Sequence, residues 1–160
     1  LESANNYHSK HPDFQCQVCH SQNYNNCGSC HIHGDGARVP AYMDFKIAKN
    51  PLKDIKPDFD LVLVRRTLAA PDNWKEYGVD EYADFDALPT YNYTTPHNLL
   101  RWTSRTETEG SCSANCHIRI EGNDTINKEL YLFRENLLEW ELEATGKMTV
   151  DEELPAYWFK

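Results

Sequence analysis

Cysteine and histidine recur together along this chain in a way that only a few chemistries require. The six cysteines fall into three close pairs, and a histidine directly follows each pair. Cys16-Gln17-Val18-Cys19-His20 is the first, Cys27-Gly28-Ser29-Cys30-His31 the second and Cys112-Ser113-Ala114-Asn115-Cys116-His117 the third. C-x-x-C-H is the spacing at which a c-type haem is attached. Two thiols must reach the two vinyl groups on one edge of a porphyrin, and the next residue must fold beneath the ring and offer an imidazole nitrogen to the iron. A short turn meets both demands. The third motif has one more residue between its cysteines and meets them with slack.

Two other chemistries use close cysteine pairs. Cys16, Cys19, Cys27 and Cys30 have the spacing of a tetrahedral zinc site, and the cysteines of an exported chain can pair as disulfides. Neither explains a histidine after every second cysteine. Nucleophilic catalysis fits less well still, because no cysteine stands alone. The expected cofactors are therefore three haem c groups. Their thioether residues are Cys16, Cys19, Cys27, Cys30, Cys112 and Cys116, and their proximal iron ligands are His20, His31 and His117.

Each such iron has a second axial position, and His8, His11, His33 and His97 remain to fill it. His97 is the strongest candidate: it is remote from the motifs, and Pro96 stiffens the backbone before it. His8 and His11 lie on a polar segment that an iron would help to order. His33 is too close to His31 to reach the same iron and would serve a neighbouring haem or face solvent. Met43 and Met148 are alternative ligands that would raise the potential. If all three irons are bis-histidine, low potentials and no open coordination position are expected. That points to electron transfer rather than catalysis. Arg65, Arg66, Arg101 and Arg105 are candidate partners for haem propionates through bidentate pairing.

The elements that must position these residues are sparse. A single domain over residues 1–160 is expected, in three stretches. Residues 1–36 are polar and turn-rich and carry two motifs, which forces those two haems to be neighbours. Residues 37–111 are rich in proline and aromatic residues, suited to wrapping porphyrin faces, and contain one clear strand, Phe59–Arg65. Residues 112–160 carry the third motif and then an apolar pattern, Leu130, Phe133, Leu137 and Trp140. That pattern predicts one longer helix over Lys128–Glu143, with Asp124 as its N-cap and Gly146 as its stop. The acidic, then aromatic tail with Tyr157, Trp158 and Phe159 is expected to dock on this subunit or another. The predicted fold class is mostly irregular and loop-rich, organised by haem, with a few short helices, that C-terminal helix and minor β structure.

Charge and hydropathy limit the partners. A formal net charge of -9 repels nucleic acid and anionic lipid. No apolar run approaches the roughly 20 residues of a membrane-spanning helix. Because attachment needs haem and reduced thiols together beyond the cytoplasmic membrane, an exported protein is expected: periplasmic, cell-surface or extracellular. Asn92-Tyr93-Thr94 and Asn123-Asp124-Thr125 are compatible with surface glycosylation. Starting at Leu1, the chain reads as a mature exported form or a piece of a longer precursor.

The chain resembles the multihaem cytochromes c, and more than the motif count carries the likeness. His8-Ser9-Lys10-His11 leading into the first two motifs looks like the opening of a widespread exported family. So do Asp86-Ala87-Leu88-Pro89-Thr90, Tyr93-Thr94-Thr95-Pro96-His97-Asn98 and the final motif. Together these span most of residues 8–117. The longer Cys112–Cys116 loop and His33 depart from the pattern. The resemblance implies an electron carrier rather than an enzyme, with other redox proteins or copies of itself as partners. Family members often carry further haem motifs N-terminal to this region. Long connections between few haems are also similar to the subunits of extracellular cytochrome filaments, or nanowires, whose axial ligands can cross between subunits; this likeness is one of analogy. The alternative function is a haem subunit of a periplasmic redox enzyme complex.

Overall fold

The computed structural model describes residues 6–22, 24–25, 42–43, 45–66, 90–106, 112–151 and 154. At its centre is a three-stranded antiparallel sheet. β1 (Tyr24–Asn25) and β2 (Tyr42–Met43) form a separate two-stranded pair, and β3 (Phe45–Lys49), β4 (Leu61–Arg66) and β5 (Tyr91–Tyr93) make the central sheet in the order β3-β4-β5. The expected strand at Phe59–Arg65 thus begins two residues later. Its Val and Leu side chains suit a pleated surface covered on both sides, and Val62, Leu63 and Val64 are all fully buried.

The pleat sends alternate residues to opposite faces, and each face has its own core. One core holds Phe45 and Ile47 of β3 with Leu63 of β4, joined by Val18, Ile118, Tyr131, Phe133, Val150 and Leu154. The other holds Ala48, Val62, Val64, Tyr91, Leu132, Leu137 and Met148. Burying a side chain of this size contributes about 1.5–3 kcal/mol. Val18 lies inside the first cysteine motif and Ile118 directly follows the third. One face of the sheet is therefore the platform for both.

The β3–β4 connection is a turn-rich loop organised by Asn50. Its side-chain amide donates to the carbonyls of Lys56 and Phe59, each at 2.9 Å, and its oxygen accepts from the Leu52 amide at 2.9 Å. The helices are short, as expected: α1 (Asn6–Lys10), α2 (Cys16–His20), α3 (Cys112–Cys116) and α4 (Leu142–Thr145). Among the described residues no helix is long and apolar enough to cross a membrane.

The long C-terminal helix does not form. Lys128–Glu143 is instead broken into three-residue 3-10 turns at Lys128–Leu130, Arg134–Asn136 and Glu139–Glu141, and only then α4. Two physical causes are visible. Tyr131, Leu132 and Phe133 run extended beside β3. The Leu132 amide donates to Ile47 O at 2.9 Å, and Val150 N donates to Leu132 O at 3.0 Å. In that register Tyr131 and Phe133 enter one core and Leu132 the other, a period of two that overrides the helical spacing. Side chains also cap the backbone locally, which competes with helix. Asn136 Oδ1 accepts from Phe133 N, and Glu141 Oε2 from Leu138 N, both at 2.8 Å. Asp124 is not an N-cap but the first residue of β7 (Asp124–Ile126), paired with β6 (Arg119–Glu121). Gly146 does follow the last α-helical residue, though the chain continues there into one more 3-10 turn. Leu154 docks in the core, while Tyr157, Trp158 and Phe159 lie outside the described residues.

Candidate functional site

The first motif forms α2 and the third forms α3, each a single short helix. A helix of five residues leaves its last carbonyls without partners in the helix, so other parts of the chain must supply donors. Residues 98–106 do this for α2. Arg105 Nη1 donates to Val18 O at 2.7 Å and Nη2 to Ser21 O at 2.9 Å. Thr103 Oγ1 donates to Cys19 O at 2.7 Å, and Leu100 N to His20 O at 2.9 Å. Ser21 bridges Leu99, and Gln22 N donates to Asn98 O at 3.2 Å.

α3 is closed differently. Gly122, at φ 65°, turns the β6–β7 hairpin, a position where glycine is the residue without steric cost. The hairpin delivers Asn127, itself at φ 65°. Its amide nitrogen donates to Ala114 O at 2.9 Å and His117 O at 3.0 Å. Tyr131 Oη donates to Cys116 O at 2.8 Å. Burial pushes the Tyr131 hydroxyl well above its ordinary pKa, with the neighbouring Cys116 sulfur adding to the shift. It therefore stays protonated and able to donate.

Gln15, just before the first cysteine, ties α2 to the sheet. β5 pairs with β4 only at Val64–Arg66, and residues 13–15 occupy the edge beyond it. Gln15 N donates to Leu61 O at 3.0 Å, and Leu63 N donates to Gln15 Oε1 at 2.8 Å. Gln15 Nε2 donates to Thr94 O and Tyr93 Oη, both at 3.1 Å. Gln15 is 2 % exposed. The only sequence cue to this role is its position directly ahead of a motif.

With the helices so held, each described motif histidine faces a histidine from outside the motifs. The ring centroids of His8 and His20 are 5.9 Å apart, with planes at 60°. Those of His11 and His117 are 6.1 Å apart, with planes at 71°. Two imidazoles bound to opposite sides of one metal ion, each nitrogen about 2.0 Å from it, hold their ring centroids roughly 6 Å apart. Both pairs have that separation. His20 Nδ1 lies 3.1 Å from Leu100 O. A carbonyl only accepts, so Nδ1 is the donor, which in the neutral ring leaves Nε2 with the lone pair that a metal needs. Burial, and then the charge of His11, hold His117 below the ordinary histidine range. This favours the neutral form, which is the ligand.

Cys16 is exposed, while Cys19 and Cys116 pack against the motif-side core. Among the described residues no three or more His, Cys, Asp or Glu side chains converge as a metal site. Two imidazoles alone do not complete a coordination sphere, but they do when a porphyrin supplies the other four nitrogens. A haem would suit these residues, with His8 and His20 able to hold one and His11 and His117 another.

The remaining candidates are distributed as follows. Cys112 lies in α3. Cys27, Cys30, His31 and His33 lie outside the described residues. His97 is exposed on the segment that pairs with residues 20–22, and both described motif histidines face other imidazoles. Met148 is 2 % exposed and packs in the core on the other face of the sheet. The candidate propionate arginines include two that are engaged within the protein: Arg105 as described, and Arg66, which pairs with the fully buried Glu141 carboxylate. Arg101 lies 5.2 Å from the Trp102 ring.

Searches against protein-family models, curated proteins and solved structures find no match to this chain.

Proposed function

We propose that this chain is a c-type cytochrome of three haems that carries electrons outside the cytoplasm. The observation that carries the reading is the pairing of His8 with His20 and of His11 with His117 at 5.9 and 6.1 Å. Each pair joins one attachment-motif histidine to one histidine from α1 or the residue just beyond it. When bound, the haems supply one-electron couples close enough together for electrons to hop between them. The protein's own part is to hold the axial imidazoles. Leu100 O orients His20, while Asn127 and Tyr131 fix the end of α3 beside His117. Leu99, Leu100 and Trp102 remain 47, 46 and 49 % exposed next to His20, an apolar surface of the kind a porphyrin covers.

His8 and His11 are three residues apart yet face different motifs. The first and third attachment sites are therefore neighbours, as the first and second are by sequence spacing. His97 is left for His31: residues 98–100 hydrogen-bond to residues 20–22, which lead toward the second motif, and His33 is too near His31 to share its iron. With all three irons given two histidines, the chain acts as a carrier and not as an enzyme. Its partners are other redox proteins or further copies, and assembly as an extracellular filament subunit is the finer form of this reading. Electron microscopy of the purified protein separates filaments from discrete particles.

The test is expression in a host with c-type haem maturation, followed by haem counting and spin-state spectroscopy. Three covalent haems, all low-spin, are expected. His8→Ala and His11→Ala should each convert one haem to high-spin. In a Cys112→Ala/Cys116→Ala background, which lacks the third haem, His11→Ala should add no high-spin signal, whereas His8→Ala should still do so. A chain that binds zinc and no covalent haem would overturn the reading.

A further inference from the structure

One cation reaches both described attachment helices. Arg105 is half-buried, and its guanidinium is held by two hydrogen bonds to the end of α2, at Val18 O and Ser21 O. Its backbone is held as well: Arg105 N donates to Thr103 Oγ1 at 3.3 Å, and Thr103 N to Thr106 Oγ1 at 2.7 Å. The same charge is within electrostatic reach of the Cys19 sulfur in the first motif and of the Cys116 sulfur and Tyr131 hydroxyl beside the third. Desolvation lowers the Arg105 pKa from its ordinary value, but a guanidinium starts so far above neutrality that it stays charged. Neither CQVCH nor CSANC contains an acidic residue to offset it.

We propose that Arg105 is a positioning and potential-setting residue shared by the first and third haem sites, a role that rests on the haem reading above. The physical reason is electrostatic. Reduction removes one positive charge from an iron, so a fixed cation nearby favours the reduced state. Its field is weakly screened where the protein excludes water and salt. Local charge and burial are among the ways in which a protein tunes haem potential. A residue that caps α2 and lies within electrostatic reach of Cys116 acts on two sites at once, raising both potentials together. This differs from the propionate pairing that arginine in such a chain suggests: the guanidinium is engaged by the backbone carbonyls of Val18 and Ser21.

The experiment is a spectroelectrochemical titration of the haem-loaded full chain, comparing the unmodified protein with Arg105→Gln, Arg105→Met and Arg105→Lys. In the two neutral variants, two of the three midpoint potentials should fall and the third stay in place, with all haems still low-spin. Arg105→Lys keeps the charge and loses the two-pronged hydrogen bonding, so it should restore both potentials. Unmoved potentials in the neutral variants would overturn the proposal. So would equal shifts in the neutral and lysine variants, because a purely structural cap would act through the lost hydrogen bonds. If both neutral variants fail to fold while Arg105→Lys folds, the charge is a folding requirement, and the proposal falls. A chain that acquires no covalent haem in any form would overturn the haem reading instead.

Discussion

At the scale of single residues, the least conspicuous side chains do the most positioning. Gln15 is an uncharged polar residue with no motif of its own, yet its amide replaces a missing stretch of strand at the edge of β4. Gln15→Leu removes the acceptor of Leu63 N and the donor to Thr94 O while keeping the side chain's bulk. Each buried group left without a partner costs roughly 1–3 kcal/mol, so a loss of about 3 kcal/mol is expected in denaturant unfolding. Because Gln15 adjoins Cys16, the haem reading proposed above predicts that the same variant takes up haem at the first motif less completely, which mass spectrometry of intact chains would reveal. The role of Gln15 could not be read from sequence, since a glutamine beside a motif is ordinarily solvated.

At the scale of elements, the two motif helices are alike in length but are closed by unrelated devices. The device at α3 depends on a backbone conformation. Asn127 sits at φ 65° and donates to two carbonyls. Asn127→Ala meets the left-handed penalty of roughly 1–2 kcal/mol and also loses both caps. Asn127→Gly loses the caps but adopts the conformation freely. The alanine variant should therefore be the less stable of the two by about 1 kcal/mol in guanidinium unfolding; equal stabilities would mean that the φ angle is not a constraint there. Element type was legible where one signal stood alone. The Val- and Leu-rich run at Leu61–Arg66 carries no competing period, and it is a strand. Over Lys128–Glu143 two signals overlap. Leu130, Phe133, Leu137 and Trp140 fit a helix, but Tyr131, Leu132 and Phe133 are consecutive large side chains that need two separate cores. The sheet offers those two cores, one on each face, and pairing beside β3 and Val150 satisfies both backbone groups of Leu132.

At the scale of the whole molecule, a central sheet with one face turned to the motifs brings residues 16–20 and 112–118 onto common ground. The formal charge of -9 then governs encounters with partners. On the haem reading proposed above, electron transfer from the reduced protein to a small cationic oxidant such as hexaammineruthenium(III) should slow as ionic strength rises from about 0.01 M to about 0.5 M, and transfer to anionic ferricyanide should quicken, because salt shortens the screening length. Stopped-flow mixing measures both. Rates independent of salt would mean that the surface through which electrons leave is locally neutral.

The sequence alone determined the chemistry that can be asked of this chain. Covalent attachment depends on local spacing, and Cys-x-x-Cys-His needs only one turn of chain to present two thiols and an imidazole on one side. It also supplied four histidines outside the motifs, and the period-two strand at the centre. Tertiary structure decided which groups meet. His11 adjoins the first motif along the chain yet faces His117 of the third, because Val18 and Ile118 pack on the same face of one sheet. Arg105, 84 residues from Ser21 along the chain, caps the end of the first motif. Partners such as these are far apart in sequence and are brought together by burial of side chains that carry no functional signature, so no local pattern could have announced them.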